Sequence, residues 1–177
     1  EWFPNGNLSQ KGEYYYGVKN GIWTSYFPEG DKWRVVQYNN GKDHPAEGWN
    51  KEREQTLIAG QGIIYDYYDN GPLKSKMAVT DSLYNGMAEY YHNNGNLESE
   101  GSLLDGEKND LWKYYFEGGE KWKHIEYLNG KLDGVIKTWY ANGELNVEGQ
   151  YKSNYKEGEW VWYTKEGTVE MKGSFEE

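Results

Sequence analysis

Residues 112–122 read WKYYFEGGEKW, and residues 23–33 read WTSYFPEGDKW. Each stretch begins and ends with tryptophan, and each holds an aromatic pair followed by a turn glycine. Glycine adopts the positive φ that tight turns need, so a glycine between two aromatic segments is typical of a β-hairpin. The two stretches therefore predict hairpins, and their similarity predicts a repeat.

The turn glycine recurs along the whole chain. The usual spacing is 24 residues, as from Gly119 to Gly143, and the one exception is the 41-residue gap between Gly30 and Gly71. A fixed period of this kind predicts an array in which each unit packs on its neighbours. The aligned glycines are Gly6, Gly30, Gly71, Gly95, Gly119, Gly143 and Gly167, and the aromatic residues four positions before them are Trp2, Tyr26, Tyr67, Tyr91, Tyr115, Trp139 and Tyr163.

Each unit contains two turn signals. Asn-Gly pairs such as Asn94-Gly95 mark the first turn, called the tip here, and pairs such as Asn129-Gly130 mark a second turn. Asn-Gly is the strongest short-range hairpin signal, because both residues tolerate positive φ. The sequence predicts an all-β fold: a single-layer twisted antiparallel β-meander of about seven 24-residue hairpin repeats, with one array over residues 1–177.

The tip loop decides which face of the sheet forms the core. A two-residue loop pairs Trp23 with Val36, Trp112 with Ile125, Trp160 with Gly173 and Ile136 with Gly149 on a core face. The opposite face then carries the aromatic column and polar side chains, except that Trp33, Val35, Trp122 and His124 place bulky side chains there. A bulged three-residue loop is the alternative, and we expect it to shift the strand parity and exchange the two faces.

Residues 44–60, HPAEGWNKEREQTLIAG, match no column of the repeat. This 17-residue insertion has two interpretations. One is a tolerated surface loop. The other is a functional segment that lies over the sheet, in which NKEREQTLIA forms two helical turns and Trp49, Leu57 and Ile58 cover exposed strands.

Charge and composition exclude several functions. The formal net charge is −10, and the basic residues form no cluster that could follow a nucleic-acid backbone. A protein with a basic surface is the better electrostatic complement. The chain has no apolar run of about 18 residues, so no transmembrane segment is predicted.

No catalytic, cofactor or metal site is predicted. The chain has no cysteine, and its three histidines, His44, His92 and His124, lie far apart. No glycine-rich phosphate loop precedes a helix, and no nucleophile elbow is present. Because Glu1 falls inside a repeat unit, we expect the natural chain to begin earlier, and an exported or envelope-associated location is slightly favoured over the cytoplasm.

Two segments carry a family resemblance. Residues 133–154, DGVIKTWYANGELNVEGQYKSN, and residues 85–106, NGMAEYYHNNGNLESEGSLLDG, share a Gly, aromatic pair, Asn-Gly, Leu and Glu-Gly pattern. This pattern resembles the bacterial variant of the MORN repeat, found in proteins labelled YwqK-type antitoxins. The resemblance implies a non-enzymatic hairpin array that binds proteins, and its antitoxin members imply neutralisation of a toxin by direct contact.

Three functions remain open at this stage. The leading hypothesis is a protein-binding scaffold, either an antitoxin or a cell-envelope accessory protein. The second is a carbohydrate- or choline-binding aromatic module, and the third is a passive spacer. The candidate partner-binding residues are an aromatic stripe, Tyr26, Trp33, Tyr115 and Trp122, together with Val35, His124 and, in the insertion, Trp49.

Overall fold

The computed structural model describes residues 1–176 as one open antiparallel sheet whose neighbours follow chain order. No helix occurs in this part of the chain. The strands are β1 Gln10–Tyr15, β2 Val18–Tyr26, β3 Lys32–Asn39, β4 Lys42–Trp49, β5 Gln55–Ile58, β6 Gln61–Tyr67, β7 Leu73–Thr80, β8 Leu83–Tyr91, β9 Leu97–Leu104, β10 Glu107–Tyr115, β11 Lys121–Leu128, β12 Lys131–Trp139, β13 Leu145–Lys152, β14 Tyr155–Tyr163 and β15 Val169–Phe175. The all-β meander is confirmed.

The chain divides into two compact units. The first contains Glu1–Asp66 and Lys76–Gly86, and the second contains Tyr67–Ser75 and Met87–Glu177. Each unit is described by itself below. That residues 1–177 form a single domain stays a prediction.

Tryptophan and glycine interlock successive strands on the core face. Trp112, which is fully buried, lies over Gly101 of the preceding strand, where a Cβ atom would come within 2.5 Å of the indole ring. The Trp112 indole N–H donates to the carbonyl of Ser102 at 3.0 Å. Trp23 over Gly12 and Trp160 over Gly149 repeat the arrangement, with indole N–H bonds of 3.1 and 3.2 Å to Glu13 and Gln150. This face is called the tryptophan face.

The tips are three-residue loops, yet the strands keep the register of a two-residue loop. At the tip of β10 and β11, the Phe116 N–H donates to the Glu120 carbonyl, and the Gly119 N–H donates to the Phe116 carbonyl. Next to the tip Tyr115 pairs with Lys121, but Tyr114 pairs with Lys123. One residue is therefore bulged out of the ladder, and this bulge cancels the extra loop residue.

The bulge explains why the predicted core face is correct although the loop has three residues. The structure contains the predicted pairs Trp23–Val36, Trp112–Ile125, Trp160–Gly173 and Ile136–Gly149. The expectation that a bulged three-residue loop would exchange the two faces is wrong, because the bulge offsets the extra loop residue and restores the strand parity.

The insertion is neither a helix nor a loop over the sheet. Its residues complete β4 and form β5, and the turn between them is built like the other tips. The Asn50 N–H donates to the Glu54 carbonyl at 3.0 Å, and the Arg53 N–H donates to the Asn50 carbonyl at 3.1 Å. The expected helical turns with Trp49, Leu57 and Ile58 are wrong. Residues 44–60 instead add a shortened hairpin whose tip carries Arg53, with φ 68, where other tips carry glycine.

The inserted hairpin belongs to the core of the first unit. Leu57 is fully buried and packs in one cluster with Ile64 and Val79. Tyr84, at the edge of this cluster, donates its hydroxyl hydrogen to Asp43 at 2.8 Å. The inserted hairpin is therefore a further repeat of the sheet and not a surface loop.

Candidate partner-binding surface

Trp33 and Trp122 occupy the bulge after the tip, and this position decides which face they share. The ladder passes from Arg34 to Lys32 and from Lys123 to Lys121, so the tryptophan between is unpaired in both copies. A bulged residue and the residue after it point to the same side of the sheet. The sequence analysis placed Trp33 and Trp122 on the same face as Val35 and His124, and this prediction is wrong. Trp33 and Trp122 lie on the tryptophan face, whereas Val35 and His124 lie on the opposite face.

In the second unit, Trp122 is packed yet open to solvent. Its ring centroid lies 6.1 Å from that of Tyr114 and 6.0 Å from that of Phe116. The Lys123 ammonium lies 4.8 Å from the Trp122 ring centroid and 4.1 Å from that of Tyr114. Trp122 nevertheless remains 43% exposed. Phe116, Trp122 and Lys123 are called the second tryptophan cluster.

The first unit contains the same arrangement. Phe27 and Trp33 lie 6.0 Å apart at a tilt of 37°, close to the 38° between Phe116 and Trp122. Arg34 takes the place of Lys123, with its guanidinium carbon 4.4 Å from the Trp33 ring centroid. Phe27, Trp33 and Arg34 are called the first tryptophan cluster.

The first cluster is covered by the inserted hairpin. The Arg53 guanidinium stacks on Phe27 at 4.0 Å and donates to Asp31 at 2.9 Å and to Glu29 at 2.8 Å. Phe27 is only 6% exposed. Trp33 is half-buried, and its indole N–H donates to the Tyr65 carbonyl in β6 at 3.0 Å. The first cluster thus uses its phenylalanine face and its indole N–H in contacts within the unit.

The next tip along the chain has glycine at the position from which Arg53 covers the first cluster. Gly143 stands at the tip position that Arg53 occupies in the inserted hairpin, and nothing lies within 4 Å of a Cβ built on it. The acidic tip residue is kept, because Glu120 stands where Asp31 stands in the first copy. Glu120 forms no ion pair among residues 1–176 and folds back over Gly118.

Tyr115 and His124 lie on the opposite face of the second unit. Tyr115 donates its hydroxyl hydrogen to Glu100 at 3.0 Å, and burial together with this bond raises the pKa of Tyr115 to about 12. His124 packs edge-on against Trp139, with ring centroids 4.6 Å apart. Burial and then Lys113 and Lys121 lower the pKa of His124.

A row of paired charges crosses this opposite face. Lys113 stands between Glu100 and His124, and Lys137 stands between His124 and Glu148. The Lys113–Glu100 and Lys137–Glu148 ion pairs measure 3.2 and 3.4 Å. Two carboxylates of this face are therefore paired with lysines of the same face.

Tyr26, Val35 and Trp49 lie on the opposite face of the first unit. Tyr26 pairs with Lys32, whose ammonium lies 5.7 Å from the Trp49 ring centroid. Val35 lies in register between Thr24 and Glu47. The seven candidate residues thus fall into four groups, two in each unit, and their role in binding stays a prediction.

Lysine side chains cover the core tryptophans, a feature that the sequence analysis missed. Lys19, Lys108 and Lys156 lie 4.0, 4.3 and 4.3 Å from the ring centroids of Trp23, Trp112 and Trp160. Burial lowers the pKa of Lys19 and of Lys108. A lysine four residues before each of these tryptophans was the available signal. These indole faces hold the protein's own cations.

An open antiparallel sheet of successive hairpins, each tip closed by the same pair of backbone bonds, defines a β-hairpin repeat protein. The family model described as MORN repeat variant matches residues 19–40, 84–105, 132–153 and 156–177. Four segments of the chain are therefore similar to the MORN repeat variant. Comparison with curated proteins gave no match.

The second tryptophan cluster lies between the second and third matched segments, whereas the first cluster lies inside the first match. Within residues 1–176, no helix is long and apolar enough to cross a bilayer.

Proposed function

We propose that this protein is a non-enzymatic scaffold that binds another protein by direct contact, with the second tryptophan cluster at the centre of the contact. The exposed, pre-packed ring of Trp122 carries the proposal. Tryptophan is enriched among the residues that dominate binding energy, and a ring already held by neighbours loses little conformational freedom on binding. The net charge of −10 favours a partner with a basic surface.

In the form suggested by the YwqK-type antitoxins, the partner is a toxin whose working surface is covered by this sheet. In a cell-envelope accessory role, the same contact holds a partner in place. Both forms act by occlusion or tethering, and neither needs a catalytic group.

The carbohydrate or choline alternative is less well supported by the geometry. Such ligands bind to the open faces of aromatic rings. The faces of Trp23, Trp112 and Trp160 are occupied by Lys19, Lys108 and Lys156, and Lys123 lies near that of Trp122. Trp122 is 43% exposed with Lys123 in place, so contact with a protein surface does not require the core lysines to move.

The test compares the intact chain with Trp122→Ala and with Tyr155→Ala, a matched control. Tyr155 is 77% exposed and lies outside the cluster. Proteins retained by the wild type and by the control are purified, and their Kd values are measured by calorimetry. Loss of Trp122 is expected to raise the Kd by about tenfold or more, as for a hot-spot residue.

The thermal midpoint of each variant is measured alongside, so that a folding defect is recognised. A partner set that binds all three proteins equally would overturn the proposal and favour the passive spacer. For the antitoxin form, the bound partner is expected to be toxic when expressed alone and harmless when expressed with the wild type.

A further inference from the structure

We propose that the second tryptophan cluster binds an arginine side chain presented by a loop of the partner protein, in the way that the first cluster holds Arg53. This inference rests on the proposed function and names the chemistry of its partner. The first cluster, with Arg53 on it, is called the bound form. The second cluster, which has no arginine on it within residues 1–176, is called the open form.

The bound form is fully defined in the first unit. The Arg53 guanidinium makes three kinds of contact at once: a stack on Phe27, donor bonds to the carboxylates of Glu29 and Asp31, and a 2.7 Å bond from Nη1–H to the Lys51 carbonyl. Guanidinium suits such a place, because it is planar, stacks on rings and donates in several directions within one plane.

The open form keeps the groups that receive the guanidinium. Phe116 stands where Phe27 stands, and Glu120 stands where Asp31 stands. The backbone of this tip has the same hydrogen bonds as the tip at Phe27, with the Phe27 N–H on Asp31 and the Phe116 N–H on Glu120 at 2.8 and 2.9 Å. The backbone that carries the ring and one carboxylate thus matches the tip that binds Arg53, and Glu120, whose side chain folds back over Gly118 in the open form, has to turn outward to receive a guanidinium.

One acidic group differs in position between the copies. Gly118 replaces Glu29, but Glu117 replaces Pro28 at the neighbouring position. Both Glu117 and Glu120 are exposed. The second copy therefore keeps two carboxylates at its tip while it lacks the cation that neutralises them in the first.

No side chain within residues 1–176 takes the arginine's place. The residue at the matching tip position is Gly143, and no cationic group lies over the Phe116 ring in this part of the chain. Lys123 lies over Trp122 and Tyr114 instead, just as Arg34 lies over Trp33 while Arg53 is bound. The presence of Lys123 is therefore compatible with a second cation at Phe116.

The experiment uses the full ¹⁵N-labelled chain and a cyclised peptide with the sequence of residues 49–55, WNKEREQ, which presents Arg53 at its turn. Two further peptides replace this arginine by lysine and by neutral citrulline. The indole N–H signal of Trp122, assigned with Trp122→Ala, reports binding. The arginine peptide is expected to bind about fivefold tighter than the lysine peptide, because lysine cannot stack and pair in one plane.

Two variants test the site from the protein side. Glu120→Gln is expected to weaken the arginine peptide about threefold or more, whereas Glu166→Gln, an exposed tip residue of the last hairpin, leaves it unchanged. Gly143→Arg recreates the cover within the chain and is expected to abolish peptide binding and to protect Trp122 from solvent. Arg53, with its φ of 68, shows that arginine is tolerated at this tip position.

The results separate this inference from the proposed function. Equal binding of the arginine and lysine peptides, or a Trp122 signal that does not move at saturation, overturns the arginine site. A natural partner that needs Trp122 but is unaffected by Glu120→Gln also overturns it, while the proposed function stands. A partner unaffected by Trp122→Ala overturns the function itself.

Discussion

The first and second tryptophan clusters have closely similar sequences and geometry, yet only the second is open. Both place a phenylalanine and a bulged tryptophan side by side at 6.0 Å with a cation over the indole ring. Arg53 covers the first, and no residue between 1 and 176 covers the second in this way. The same motif is therefore structural in one unit and available for binding in the other, and its neighbour decides which.

The sharpest way to break this comparison is to remove each tryptophan in turn. Trp33→Ala is expected to lower the free energy of unfolding by about 3 kcal/mol, because it leaves a cavity and an unpaired Tyr65 carbonyl. Trp122→Ala is expected to cost below about 1 kcal/mol, since its ring is 43% exposed. Urea denaturation measures both. Similar losses would show that the two clusters do the same structural work.

The support beneath the clusters is expected to be equivalent in both units. Gly12→Ala and Gly101→Ala each place a methyl group within 2.5 Å of an indole ring, Trp23 and Trp112 respectively. Overpacking at either site should lower stability by about 2 kcal/mol, as read from the thermal midpoint in calorimetry. Gly173→Ala, in a strand where the nearest atom to the added Cβ lies at 3.4 Å, is the control without a steric clash. If only one of the two substitutions lowered stability, the two units would differ in the packing of their core tryptophans as well as in the cover by Arg53.

Removing the cover should make the first cluster resemble the second. Arg53→Ala is expected to lower stability by about 1 kcal/mol, because the ion pairs are partly exposed and the stacking energy is modest. Phe27 should become accessible, and the chain should then bind the cyclised arginine peptide at a second site. Arg53→Lys serves as the charge-matched control. Unchanged peptide stoichiometry in Arg53→Ala would count against the equivalence of the two clusters.

The smallest expected difference is one of pH. His124 occupies the position of Val35, and burial followed by Lys113 and Lys121 holds its pKa below the ordinary 6.5. The unfolded chain therefore binds the proton more readily, so stability falls as pH drops from 6.5 through the folded-state pKa. His124→Val should remove this part of the decline. An NMR titration midpoint for His124 at or above 6.5 would contradict the assignment.

Much of the fold follows from the sequence because its signals are local. The glycine period and Asn-Gly tips specify the hairpins, and the side-chain alternation specifies the core pairs such as Trp112 with Ile125. The position of the bulge at Trp122 cannot be predicted from neighbouring residues alone. It arises where a three-residue loop meets a ladder whose register is already set by the buried pairs, so only the assembled hairpin reveals which face receives the ring.

The inserted hairpin was missed for a different reason. Arg53 takes a positive φ that is usually a glycine position, so a search for tip glycines passes over it. Trp49, four residues before Arg53, fits the aromatic column and was the signal that could have found the tip. The arginine site was equally hidden, since its recognition needs the side-chain contacts of Arg53 in the folded first unit.

The tip position held by Arg53 and Gly143 also has a genetic consequence. Glycine codons of the form GGN and arginine codons of the form CGN differ by one base, and the tip backbone accepts either residue. A point mutation at a single tip can thus convert an open copy of the motif into a self-covered one, or the reverse. An array of duplicated hairpins can in this way gain or lose binding sites one at a time without altering its sheet.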